Sequence, residues 1–189
     1  LLDFGLSESV SRYLSKYYAE GEADRIPSFL GVTYKMYLVI TLFIAVVLLG
    51  VFLNIDAIYS GLTREQLPVF RILFIIISLY SVVSFPFAPL NGILVSNERF
   101  VALNACSLVQ KVLTVLLIVA ALLLGQGIYA LVAANAFVSV VITIVKLVLV
   151  HVKTDVRVDF SHGGIAAMRE VVSFSAWVMV TNVCGRLIF

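Results

Sequence analysis

Charge is scarce in this chain. Only 13 Lys and Arg and 11 Asp and Glu occur among 189 residues, and 62% of the residues are hydrophobic. With 13% charged residues against about 25% in ordinary soluble domains, and a mean hydropathy of +1.11, a water-soluble fold is excluded. Cysteine is nearly absent as well. Cys106 and Cys184 sit in apolar segments, away from any CxxC spacing or histidine partner, which argues against a disulfide framework or a metal site and for small core residues. The two histidines, His151 and His162, fall in one polar connection, where solvated roles are expected. No GxxxxGKS, HExxH or GxSxG pattern occurs, so ATP hydrolysis, zinc hydrolysis and serine-nucleophile chemistry find no support. The apolar segments also lack the alternation of barrel strands. Backbone amides in lipid must then be satisfied within helices, and the expected fold class is an all-α integral membrane bundle.

Long apolar runs are what the chain does have. From Val112 to Val145 there is no charged side chain, and the only interruption is Gly125-Gln126-Gly127. One crossing of a ~30 Å hydrocarbon core takes about 20 residues, so this run predicts two helices joined by a tight turn. Windows of that length predict about six transmembrane helices in all. An incomplete first piece spans Leu1 to about Tyr18, the second helix about Tyr34 to Asn54, and the third about Val69 to Val95. The hairpin supplies the fourth, about Val101 to Leu124, and the fifth, about Ile128 to Val150. A sixth starts near Met168. Pro86 and Pro89 remove backbone donors within the third helix and predict a kink or break there.

Lys and Arg distribute unevenly among the turns. Arg12, Lys16, Arg25, Lys35, Arg99, Lys153, Arg157 and Arg169 lie on one side and only Arg64 and Arg71 on the other, which by the positive-inside rule places the first group in the cytoplasm. The outer segments are then too short for an enzyme active site. The basic turns are also too dispersed for a nucleic-acid surface, and no cofactor or metal is expected. No cleavable signal peptide is read at Leu1 to Leu14, because Asp3, Glu8 and Arg12 stand where an apolar region would have to be.

Ionisable groups inside a bilayer cost roughly 2.5–3.5 kcal/mol each and mark hydrated cavities or internal pairs. Lys111 is expected near the membrane midplane, about 15 Å along its helix, lining a cavity. Arg12 follows Glu8 by four residues and precedes Lys16 by four, a stripe suited either to an i,i+4 ion pair or to binding an anion. Lys146 is expected to snorkel to the head groups, and Arg186 lies late in the sixth helix. Asn91, Asn104, Gln110, Asn135 and Asn182 suit either interhelical hydrogen bonds or a hydrated cavity, with packing favoured.

Leu2-Asp3-Phe4-Gly5-Leu6-Ser7 followed by Arg12-Tyr13 resembles the "LDxGL…R" end of the second helix in polysaccharide flippases of the multidrug/oligosaccharidyl-lipid/polysaccharide exporter superfamily. Pro86 to Arg99 resembles the end of their fourth helix and its turn, and Gly125 to Ile128 resembles the turn between their fifth and sixth helices. The resemblance implies a 12- to 14-helix transporter of two lobes. The chain, which begins at Leu1 and ends at Phe189 within an apolar stretch, is then expected to be a fragment: residues 1–150 the end of helix 2 to helix 6, residues 151–167 a cytoplasmic inter-lobe connection, and residues 168–189 the start of the second lobe. It implies export of an undecaprenyl-pyrophosphate-linked sugar or oligosaccharide across the cytoplasmic membrane. Arg12 and Lys111 are then the expected substrate contacts, Glu8, Pro86, Pro89, Asn91, Asn104, Gln110 and Asn135 the cavity or hinge positions, and H+ or Na+ the coupling ion. Rival readings are a drug or metabolite antiporter of the same superfamily, which would favour an acidic site, a membrane-bound sugar polymerase or glycosyltransferase, and a non-transporting scaffold.

Overall fold

In the computed structural model, which describes residues 6–59, 63, 65–154 and 158–160, every regular element is helical. Helix α1 spans Leu6–Ala19, α2 Ile26–Leu53, α3 Ile55–Ile58, α4 Gln66–Ser84, α5 Pro89–Ser96, α6 Phe100–Leu123 and α7 Ile128–Lys153. Four segments are long and apolar enough to cross a bilayer: Ala23–Leu53, Gln66–Ser96, α6 and α7. The 24 residues of α6 make about 36 Å of helix against a hydrocarbon core of ~30 Å. This is a membrane protein with an all-α bundle fold. The sixth expected crossing, with Asn182 and Arg186, lies outside the described residues, as does Arg64.

Helix α2 starts at Ile26, earlier than the hydropathy window at Tyr34. Pro27 sits in its first turn, where the missing N–H costs nothing, and Phe29, Leu30 and Thr33 are buried. The third crossing is broken where its prolines fall. After α4 a single 3-10 turn, Phe85–Phe87, carries the chain into α5, and the Ala88 amide bonds the Phe85 carbonyl at 3.1 Å. The break is nearer one end than the middle, leaving the eight residues of α5 as a separate half-helix. Between α6 and α7, Gly125 adopts φ +67°, the left-handed conformation that closes a helix, and the Gln126 amide bonds back to the Ala121 carbonyl at 2.9 Å.

The buried core gathers at one end of the bundle. Val10, Leu14 and Tyr17 of α1 pack with Phe29, Leu30 and Tyr37 of α2, with Leu90, Ile93 and Leu94 of α5, and with Val150 of α7. Towards the other end, Leu42, Phe43, Leu49 and Leu53 of α2 stay exposed, as surfaces meeting hydrocarbon can. Hydroxyls within the crossings bond their own helices. Thr33, Thr41, Ser81, Ser107 and Thr143 each donate to the carbonyl four residues earlier, at 2.6–3.0 Å.

Candidate functional site

Helix α1 carries two stripes. Val10, Leu14 and Tyr17, spaced four and three apart, enter the core, while Glu8 and Arg12 remain exposed roughly opposite. The polar stripe opens on a cavity of about 350 Å³ lined by Ser7, Glu8, Ser11 and Arg12 of α1 and by Asn91, Gly92 and Val95 of α5. Two local features hold the walls together. Ser7 Oγ donates to the Ala88 carbonyl at 3.0 Å, in the proline-broken segment. Gly92 lets the two backbones approach so closely that a β-carbon there would lie 2.5 Å from the Ser7 carbonyl oxygen and 2.9 Å from Val10 Cβ. The break before α5 thus sets Asn91 one turn beyond Ala88, beside the α1 stripe.

Asn91 also reaches in another direction. Lys146 of α7 is half-buried, and its Nζ donates to Asn91 Oδ1 at 3.0 Å. Lys146, expected to snorkel to the head groups, has a carboxamide partner on α5 in this fold. That expectation counted residues along α7 alone, whereas α5 packs against α7 and offers an acceptor. The cavity therefore holds a carboxylate and a guanidinium on its α1 wall, and a carboxamide on its α5 wall backed by an ammonium. Such a set can bind an anionic or hydroxyl-rich group through Arg12 and Asn91, and Glu8 can accept a hydroxyl or a cation.

The other expected positions do not converge here. Gln110 Nε2 donates to the buried Ser139 Oγ at 3.0 Å, joining α6 to α7 beside Cys106, Val138 and Ile142. Lys111 and Asn104 are exposed on α6 and Asn135 is exposed on α7. Pro86 and Pro89 form the break that positions the α5 wall. A second cavity, about 330 Å³ between α2 and α4, is walled by apolar side chains such as Leu48, Phe52, Phe74 and Leu79, with Ser78 its sole polar lining residue. Its chemistry is that of the surrounding bilayer.

Sequence reasoning missed Ser7, Ser11, Gly92 and Lys146. Ser7 and Ser11 repeat the four-residue spacing of Glu8 and Arg12 and were legible on that ground. The Lys146 contact spans 55 residues of sequence and had no local signal. Among the described residues no cluster of His, Cys, Asp and Glu could hold a metal ion.

Residues 1–189 match a family model described as polysaccharide biosynthesis protein. No curated protein and no solved structure matches the chain.

Proposed function

The chain belongs to the polysaccharide biosynthesis protein family, and from that premise we propose that it forms part of a flippase moving an undecaprenyl-pyrophosphate-linked sugar or oligosaccharide across the cytoplasmic membrane. Sugars and pyrophosphate cannot enter hydrocarbon unaided, so the carrier must offer a polar, cationic recess while the lipid tail stays in the bilayer. The observation that carries the reading is the α1–α5 cavity, in which Arg12 and Asn91 face one space at the edge of a membrane-spanning bundle. Arg12 is the pyrophosphate contact, since a guanidinium presents paired donors to phosphate oxygens. Movement follows from rocking two lobes about a fixed site, with α5 free to shift at the proline break.

Glu8 in the same cavity supports a second reading, an antiporter of the same superfamily whose acidic group binds a cationic substrate or exchanges a proton. Within the flippase reading the same carboxylate takes the coupling H+ or Na+. One experiment separates them. Surface glycan is measured in a strain lacking the native gene and complemented with the full-length protein, its Arg12→Ala variant or its Glu8→Gln variant, each at matched membrane abundance. The flippase reading expects restored glycan with the unaltered protein and loss with Arg12→Ala. Failure of the unaltered protein to restore glycan, with cation export that Glu8→Gln abolishes, would establish the antiporter instead.

A further inference from the structure

We propose that Lys146 is a positioning residue: it fixes the Asn91 carboxamide with its oxygen turned towards α7, so that the Nδ2 group is left as a hydrogen-bond donor to the α1–α5 cavity. The inference rests on the reading of that cavity as a pyrophosphate site and adds the origin of its polarity.

An ammonium has three N–H donors and no acceptor. Only the amide oxygen of Asn91 can therefore face Lys146 Nζ, 3.0 Å away, which removes the usual ambiguity between the oxygen and nitrogen of a carboxamide. The two amide atoms point about 120° apart, so holding one sets the other. Asn91 lines the cavity, while Lys146 does not. Among the described residues the Asn91 side chain bonds through Oδ1, and the residue is part-buried at the cavity wall, which leaves Nδ2 uncommitted on that side. A freely rotating carboxamide would offer acceptor and donor equally. Pinned by Lys146, it offers a donor, alongside the donors of Arg12. The cavity is thereby matched to phosphate oxygens, which only accept. Glu8 is the acceptor in the same cavity and stays available to a coupling cation. Lys146 acts through Asn91, and its charge adds to the effect at one remove.

The test is a double-mutant cycle on the full-length protein in nanodiscs, with calorimetric binding of farnesyl pyrophosphate and of inorganic pyrophosphate as probes. Lys146→Met should weaken both about tenfold or more, the loss of one hydrogen bond to a charged group. Lys146→Arg, which also only donates, should stay within about twofold of the unaltered protein. Asn91→Ala should cost about as much as Lys146→Met, and the double variant should be no weaker than Asn91→Ala alone, because Lys146 then has nothing to orient. Asn91→Asp keeps a partner for Lys146, and so the α5–α7 contact, but turns an acceptor into the cavity; it should bind worse than Asn91→Ala. That last variant guards against the chance that Lys146→Met fails to fold. Losses that add in the double variant would assign Lys146 a direct charge role and overturn the inference, as would Asn91→Asp binding like the unaltered protein. Either result leaves the pyrophosphate site standing. Absence of pyrophosphate binding by the unaltered protein would remove both.

Discussion

Gly92 of α5 meets Ser7 of α1 backbone to backbone: a β-carbon on Gly92 would stand 2.5 Å from the Ser7 carbonyl oxygen. Without an apolar-to-water driving force between helices, such close approach supplies the dispersion contacts and the polar bonds that hold membrane helices together. Gly92→Ala should therefore force α1 and α5 apart and lower stability by about 1–3 kcal/mol, as overpacking does elsewhere. Gly50, in α2, has open space where a β-carbon would stand, with nothing within 4 Å, and Gly50→Ala is the matched control. Thermal unfolding of the purified full-length variants should show a lower midpoint for Gly92→Ala and an unchanged or higher one for Gly50→Ala. Equal midpoints would mean that the two helices separate without cost.

Pro86 and Pro89 are the second lever. Each lacks the N–H that an unbroken helix would use, and the 3-10 turn between α4 and α5 is the consequence. Because α5 carries the Asn91 wall of the cavity, the proposed flippase would use its tilt at the proline break to switch access. Pro86→Ala with Pro89→Ala should restore a continuous helix and slow glycan export several-fold, with insertion and abundance preserved. Full export by the double variant would show that neither switching nor the cavity depends on the break.

The parts of this molecule that were legible in the sequence are those fixed by local chemistry. The uncharged run from Val112 to Val145 defined α6 and α7, because a bilayer-length helix is set by composition, and Gly125 marked the turn, because a left-handed residue favours glycine. The α4–α5 break followed from two missing donors. The joining of Glu8, Arg12 and Asn91 was only half legible, since the α1 stripe is a matter of spacing but its facing wall depends on how Gly92 seats on Ser7. The Lys146 contact was not legible at all. It depends on the tilt of a half-helix against α7, which no periodicity encodes. For Gln110 the sequence left packing and cavity roles open, and the bond to Ser139 places it in the α6–α7 seam.

Orientation in the membrane is open to direct measurement. Ser96 and Gln126 lie near opposite ends of α6, one beside the cationic Arg99 turn and the other in the uncharged Gly125 turn. The positive-inside rule puts Ser96 in the cytoplasm. In a full-length background lacking Cys106 and Cys184, an impermeant maleimide should label Gln126→Cys in intact cells and Ser96→Cys only after permeabilisation. Labelling of Ser96→Cys in intact cells would invert the topology.

Lys111 poses the sharpest question about the proposed flippase. It sits at the middle of α6, eleven positions from Phe100 and twelve from Leu123, and it is exposed. Asn104, seven residues earlier and so on the same face, is exposed too. A lysine at that depth facing hydrocarbon would cost roughly 2.5–3.5 kcal/mol, which a water-filled path or an anionic partner would offset. The face carrying Lys111 and Asn104 is therefore expected to border the substrate route, apart from the α1–α5 cavity. Lys111→Ala removes the cation but keeps a strong helix former, so membrane abundance should hold while export falls at least tenfold. Lys111→Arg should retain part of the activity, because a phosphate accepts either cation although their shapes differ. Surface glycan in the complemented strain, read against the abundance of each variant, decides the matter. Normal glycan from Lys111→Ala at normal abundance would make this lysine a packing partner for protein elsewhere in the membrane and remove it from the substrate path.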